Sequence, residues 1–235
     1  MAQQLINTAM VLAAGRGTRI RSLDPHTPKP LIPVNGQPLI DYTLGLLSKG
    51  GVERVVVNVH HLADHVESHV TQAAERFGLH LTISDEREQL LETGGGILKA
   101  LPKLGDQPFF CSNTDAILRP RKSSSVEQLR DRWSEACDAL LLMVRPEAVS
   151  GYQGTGDFSL AEDGQIIDLD EASPLMFTGL QILRPRLFEG AAIEPVSTRA
   201  FWQKARAEGR MHGVVFDGDW MHVGDPEGHR QAEAR

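Results

Sequence analysis

Hydrophobic positions along the chain alternate between short apolar runs and amphipathic stretches, the pattern of strands that alternate with helices. Residues 8–12 form one buried run. From Pro38, a favoured first-turn residue, Leu39, Ile40, Leu44 and Leu47 share one helical face, and Gly50 and Gly51 end that helix. A second strand covers 54–59. Leu62, Val66, Val70, Ala73 and Phe77 follow at spacings of four, four, three and four, which predicts a second helix. Further strands are expected at 79–84, 108–112 and 139–144, with helices at 93–101 and 125–137. After residue 145 glycine and proline become frequent. Short strands at 157–160, 165–169 and 177–183 predict an irregular, partly antiparallel section. Two more strands flank Asp217-Gly218, a favoured tight-turn pair, before a last helix near Pro226. No internal repeat or low-complexity linker occurs.

Length and composition narrow this picture. A chain of 235 residues with 41% hydrophobic and 23% charged residues has the make-up of a globular protein with a large core, not of a disordered tail or a coiled coil. Lys and Arg total 24 against 31 for Asp and Glu, a formal charge of −7, which argues against a nucleic-acid coat. Any anionic ligand must then be held by a few clustered cations and backbone N–H groups. The two cysteines, Cys111 and Cys137, fit buried thiols better than a disulfide framework, and no zinc-type spacing occurs. The first ten residues lack a basic start, and no run of eighteen apolar residues exists, so a cytoplasmic protein without membrane contact is expected.

The segment LAAGRGTRIRSLDPHTPKPLIPV after the first strand is too long and too rich in Gly, Arg, Lys and Pro for a plain connection. A dinucleotide fingerprint fails because Ile20 stands where its third glycine belongs, and the Gly-Lys-Ser/Thr of a Walker loop is absent. Gly15, Gly17 and Arg19 remain, at the carboxyl end of a strand where open α/β sheets bind ligands. Glycine lets backbone N–H groups approach phosphate oxygens, and arginine grips phosphate bidentately. Lys29 lies between Pro28 and Pro30, which restrict the backbone and aim the ammonium group. The glycine pair alone fits a tight turn equally well. Joined to Arg19 and Pro28-Lys29-Pro30, it points to a phosphate site.

This stretch resembles the first loop of the sugar-1-phosphate nucleotidyltransferases, Gly-x-Gly-x-Arg followed by Pro-Lys-Pro. Matching segments follow in order over nearly the whole chain: GQPLIDYTL at 36–44, LETGGGILKAL at 91–101, SNTD at 112–115, GTGDFSL at 154–160, FTGLQIL at 177–183 and WMHVGDPEG at 220–228. The resemblance implies a Rossmann-like three-layer α/β sandwich with a mixed, mainly parallel sheet. It implies one catalytic domain over 1–235, with 1–145 mainly nucleotide-binding and 146–235 mainly sugar-phosphate-binding. A nucleoside triphosphate and a sugar 1-phosphate are the implied partners, with Mg2+ or Mn2+ as cofactor, and a monomer or weak dimer is expected. Within the family, the short length, LETGGG and GDF lean toward uridylyl transfer to N-acetylmuramic acid 1-phosphate in cell-wall recycling. Guanylyl transfer to a heptose, mannose or glucose 1-phosphate is the alternative, and a catalytically silent sensor is another.

Residue by residue, the resemblance places the nucleotide against Ala13, Ala14, Gly15, Gly17, Thr18, Arg19 and Lys29, and against Glu92, Thr93, Gly94 and Gly95. The consecutive glycines at a helix start would expose N–H donors and permit flat contact with a base. A flexible turn before an ordinary helix is the plainer reading of them. Arg19, Lys29 and Asp115 take the catalytic roles, with Asp115 a metal ligand, although an aspartate after a strand is by itself equally a helix cap. Asn113, Asp157, Thr178 and Gly179 line the implied sugar-phosphate side.

The chain departs from the family in three places. His222 stands where a second metal-binding aspartate is usual, and imidazole suits softer cations than magnesium. Three outcomes are open: His222 binds metal or phosphate, the metal rests on Asp115 and phosphates alone, or activity is lost. Asp24 adds a negative charge to the first loop unless it pairs with Arg21 or His26. The lysine that meets the sugar phosphate is missing, since none occurs between Lys122 and Lys204, which leaves Arg145 or Arg184 as substitutes. His61, His65 and His69 share one helical face, where solvated side chains are the plainer expectation than a metal site.

Overall fold

A computed structural model describes residues 6–235; Met1 to Leu5, half of the ten-residue start tested above for a leader, lie outside the described residues. Strand β1 (Thr8–Leu12) is followed, after the long first loop, by the small hairpin β2 (Pro33–Val34) and β3 (Gln37–Pro38). Helix α1 (Leu39–Lys49), β4 (Arg54–Val59), α2 (Ala63–Phe77) and β5 (His80–Asp85) come next. Then follow α3 (Glu92–Leu104), β6 (Phe109–Asn113), β7 (Ala116–Pro120), α4 (Ser125–Arg132) and β8 (Ala139–Val144). The remainder holds β9 (Val149–Ser150), β10 (Ser159–Leu160), β11 (Ile166–Ile167), β12 (Met176–Leu183), α5 (Thr198–Ala207), β13 (Met211–Val215), β14 (Gly218–His222) and α6 (Pro226–Glu233).

Seven strands form the central sheet in the order β13-β8-β12-β6-β1-β4-β5. Only β12 runs antiparallel to its neighbours, so the sheet is mixed and mainly parallel, as expected. Side chains alternate across it with the period of two that strand geometry imposes. Ala9, Val11, Val55, Val57, Phe110, Leu140 and Leu142 face one core with α1, α2 and α4. Met10, Val56, Phe109, Cys111, Leu141 and Met143 face the other, with α3 and α5. Both faces are covered, which is why these strands read as continuous apolar runs. Among the described residues, no helix is long and apolar enough to cross a membrane.

Several expectations require correction. The helix expected over 125–137 stops at Arg132, where Trp133 turns extended (φ −67°, ψ 133°) and buries its ring. Arg184 caps that ring at 5.3 Å. The strands around Asp217-Gly218 exist but do not pair with each other: β13 lies parallel to β8, while β14 joins β7 and β9 in a separate three-stranded sheet. Buried Phe216, whose N–H donates to the Met143 carbonyl at 2.7 Å, pins the chain between the two sheets. Helix α5, unanticipated in the irregular section, buries Trp202 and Ala205 behind its Ser197 cap. The two expected halves are also interleaved, because β12 from the second half inserts between β8 and β6 of the first.

Candidate active site

β1 and β6 lie side by side and parallel, with Leu12 opposite Asn113, so their carboxyl ends open together. From β1 the chain crosses to β4 through α1 on one face, while β6 is reached through α3 on the other. That reversal leaves a crevice above the strand ends. A cavity of about 430 Å3 occupies it. Its walls include Ala13, Ala14, Gly15, Gly17, Thr18, Arg19 and Lys29 from the first loop, Glu92 and Thr93 from the start of α3, and Asn113 and Asp115 from the end of β6. These eleven sequence-predicted residues are brought together. Asn58, Ser197 and Gly224 line the same cavity and were not anticipated.

The first loop has two kinds of glycine. At Gly17 the backbone is left-handed (φ 58°), and a Cβ there would sit 2.7 Å from the Lys29 Cβ, so only glycine lets the loop close over Lys29. A Cβ on Gly15 would meet no protein atom within 4 Å, so its absence widens the cavity itself. Ile20 is buried and its N–H donates to the Gly17 carbonyl at 3.2 Å, which anchors the turn that leaves Arg19 exposed. Pro28 is extended and Lys29-Pro30-Leu31 forms one 3-10 turn. The Lys29 ammonium thereby reaches Asp115 Oδ2 at 2.8 Å. Asp24 bonds within its own turn: its oxygens accept from the Thr27 hydroxyl at 2.6 Å and the His26 backbone N–H at 2.8 Å. Those bonds, the Thr27 hydroxyl first, hold its carboxyl below the usual range. Arg21 instead donates to His61 Nε2 at 2.8 Å, which ties the loop to the start of α2.

A buried polar relay supports the wall formed by the first loop and the start of α3. The Ala13 N–H donates to Asn58 Oδ1 at 2.7 Å, and Asn58 Nδ2 donates to Glu86 Oε1 at 2.7 Å. Glu86 is fully buried, and its second oxygen accepts the Leu91 N–H at 3.0 Å, immediately before Glu92. The relay connects the first loop to the start of α3, and each polar group in it is satisfied. Its signal in the sequence is a lone asparagine inside the apolar run VVVNV. The Ala13 N–H is therefore spent within the protein and is not offered to a ligand.

The glycine-rich helix start also differs from expectation. Gly94 and Gly95 do not present N–H donors to a base, because both donate to the Val196 carbonyl, at 2.8 and 3.1 Å. A Cβ on Gly95 would overlap the Glu194 carbonyl oxygen, and one on Gly96 would lie 2.7 Å from Glu86 Oε1. These glycines exist for close packing under the 194–197 segment and over the relay. Glu92, in a left-handed conformation (φ 59°), and Thr93 turn toward the cavity in their stead.

On the opposite wall, β14 docks beside Asp115: the Val223 N–H donates to the Asp115 carbonyl at 2.8 Å and His222 pairs with Ala116. The His222, Trp220 and Tyr152 rings cluster in a triangle, with centroids 5.4 Å (His222–Trp220), 5.6 Å (His222–Tyr152) and 5.3 Å (Tyr152–Trp220) apart. His222 Nε2 would overlap a Cβ on Gly224, so that cavity-lining glycine leaves room for the imidazole beside it. Asp219 is engaged by Arg121 at 2.7 Å, and Asp225 caps α6 by accepting the Gly228 N–H. Neither stands in for a missing carboxylate. Among the described residues no three His, Cys, Asp or Glu side chains gather as a metal cluster, the 61, 65 and 69 histidines included. His69 pairs with buried Asp41 at 2.7 Å.

The remaining sugar-side expectations fall into place unevenly. The buried Thr178 hydroxyl donates to the Leu142 carbonyl inside the sheet, so it is occupied there rather than turned to a ligand. Gly179 is left-handed (φ 92°) and leaves room for the Asn113 side chain, which a Cβ would approach to 3.1 Å. Asp157 accepts the Phe177 N–H at 2.9 Å and meets Arg199 at 3.1 Å. Arg184 is excluded as a phosphate partner. It follows Leu183, which pairs with Phe109 at the amino end of β6, so it lies at the opposite end of the strands, against Glu135 and Asp138.

Electrostatics separates the two titratable walls. Burial opposes ionisation of Asp115, but the Lys29 ammonium, helped by His222, outweighs it and holds the carboxyl below its ordinary value. Burial lowers the His222 imidazole. Asp115 opposes that and Lys29 and Arg19 add to it, so the net shift favours the neutral ring. The cavity thus combines an ionised carboxylate with cations, and the His222 imidazole stands beside it, a set suited to aligning phosphates.

Comparison with known proteins agrees with this geometry. The pattern of the MobA-like NTP transferase domain matches residues 9–210. The chain is 43% identical to the N-acetylmuramate alpha-1-phosphate uridylyltransferase of Caulobacter vibrioides, over 97% of this chain and 96% of that one. It is 36% identical to the protein of the same name from Neisseria meningitidis, over 92% of each. The solved inositol-1-phosphate CTP transferase from T. maritima shares the fold, with a TM-score of 0.78 at 21% identity over 96% of this chain and 92% of that one. The chain therefore belongs to the MobA-like NTP transferase family.

Proposed function

We propose that the chain transfers a uridylyl group from UTP to N-acetylmuramic acid 1-phosphate and releases pyrophosphate. The observation that carries the reaction class is the convergence of Arg19, Lys29 and Asp115 on one cavity at the strand ends. The substrate choice is supported by the two relatives above and their coverage of nearly the whole chain. A phosphate oxygen of the sugar 1-phosphate attacks the α-phosphorus in line, and the bond to the pyrophosphate oxygen breaks. The nucleophile is already an anion, so no general base is required. The protein's work is to align two mutually repelling anions and offset charge in the transition state. Arg19 and the first-loop backbone orient the triphosphate, Lys29 faces the charge that develops on the leaving pyrophosphate, and Asn113 meets the sugar.

The donor set fits a divalent cation: Asp115 would offer a hard carboxylate oxygen and His222, on the strand docked beside it, an imidazole nitrogen. When bound, Mg2+ or Mn2+ neutralises charge shared by the two phosphates. The nitrogen donor predicts a stronger preference for Mn2+ than a two-carboxylate site would have.

Pyrophosphate release measured with four nucleoside triphosphates, several sugar 1-phosphates and either cation tests the proposal. Turnover highest with UTP and N-acetylmuramic acid 1-phosphate is the expected result. Turnover with GTP and a heptose or mannose 1-phosphate would replace the substrate assignment, and binding without turnover under both cations would make the chain a sensor.

A further inference from the structure

One arginine on the sugar-side wall has no part in the transfer chemistry. Arg199 lies in the first turn of α5, two residues after Ser197, which lines the cavity. Its Nη2 meets Asp157 Oδ1 at 3.1 Å, while the other Asp157 oxygen accepts the Phe177 N–H. Asp157 is thus nearly buried, at 13% exposure, and fixed from two directions, whereas the Arg199 side chain remains 67% exposed. A guanidinium carries five N–H donors in a planar fork. Asp157 engages one nitrogen and leaves the rest available to a second acceptor.

Strand register places this arginine at the same end of the sheet as the phosphate cations. β12 runs antiparallel to β6 with Leu180 opposite Ser112, so Phe177, whose N–H Asp157 accepts, lies at the carboxyl end of β6. The Thr198 N–H, next to Arg199, donates to the hydroxyl of cavity-lining Thr93 at 2.9 Å. A ligand whose phosphate lies at Lys29 and Arg19 therefore has Arg199 along the same end of the sheet. The proposed substrate has a matching second anion, since muramic acid differs from glucosamine by a lactyl ether that ends in a carboxylate. An arginine already held by a buried carboxylate loses little freedom on accepting such a group, and its fork matches carboxylate geometry.

We propose that Arg199, positioned by Asp157, binds the lactyl carboxylate of the sugar 1-phosphate and selects carboxylated over uncharged amino sugars. This inference rests on the proposed substrate. The test measures kcat and KM at saturating UTP for N-acetylmuramic acid 1-phosphate and for its lactyl carboxamide, with the wild type, Arg199→Gln and Arg199→Lys. A lost charge-assisted hydrogen bond corresponds to about 10- to 100-fold. Arg199→Gln is expected to raise KM for the acid by that factor, with kcat, the KM for UTP and the melting temperature unchanged. The carboxamide should be poor for the wild type and no poorer for Arg199→Gln, and Arg199→Lys should recover part of the loss. Equal effects on acid and carboxamide, or no effect on either, overturn the inference while leaving the proposed reaction intact. A wild type that turns over another sugar 1-phosphate but not N-acetylmuramic acid 1-phosphate overturns both.

Discussion

Lys29 Nζ stands 2.8 Å from Asp115 Oδ2 across 86 positions of chain, and both side chains are only partly exposed. The pair joins the first loop to the end of β6 and keeps Asp115 ionised beside the cavity. Lys29→Ala removes the cation expected to face the leaving pyrophosphate, and loss of one such electrostatic contact lowers kcat by about 100- to 1000-fold. The melting temperature should move by only a few degrees, because solvent reaches the carboxylate left behind. Steady-state rates and a thermal melt check this, and near-wild-type turnover would remove Lys29 from the reaction.

Two glycines separate packing from ligand access. Gly95→Ala drives a methyl group into the Glu194 carbonyl oxygen, and the double hydrogen bond from Gly94 and Gly95 to Val196 keeps that backbone from yielding. Overpacking of this kind costs about 1–3 kcal/mol. Gly15→Ala meets no protein atom within 4 Å, so its melt should match the wild type while KM for the triphosphate rises. Urea denaturation and substrate titration of both variants read the contrast. A destabilised Gly15→Ala with unchanged KM would contradict it.

His222 makes stability depend on pH in a stated direction. Burial, reinforced by Lys29 and Arg19, lowers its pKa below the ordinary 6.5. For a group depressed in the folded state, the stabilisation is complete above the unfolded pKa and is lost as pH falls through the folded value. The wild type should therefore lose more stability than His222→Gln between about pH 7 and pH 5. His61, lowered by burial and by Arg21, titrates alike in both proteins and cancels. Urea midpoints at several pH values give the comparison, and parallel slopes would show that His222 is not held neutral.

What was legible in the sequence depended on distance along the chain. Strand β8 matches its expected bounds because a strand buried on both faces is a continuous apolar run. Helix α2 was visible because its buried face repeats every three to four residues. Helix α5 was obscured because its short apolar face, Trp202 and Ala205, is interrupted by Arg and Lys. The first loop was legible because glycine, proline and clustered cations act locally on backbone and charge.

The sequence by itself determined the alternation of strands and helices, the gathering of Gly15, Gly17, Arg19 and Lys29 in one loop, and, through ordered motifs, the family. Only the tertiary structure decided which N–H groups were free. The Ala13 donor is consumed by Asn58, and those of Gly94 and Gly95 by Val196. It also decided that β12 enters the middle of the sheet, that β14 brings His222 to Asp115, and that Asp157 holds Arg199. The physical reason is range: propensity and hydrophobic period act over a few residues, whereas each of these contacts joins segments at least 42 positions apart or rests on the strand order. Hydrogen-bond satisfaction is settled only once those segments meet.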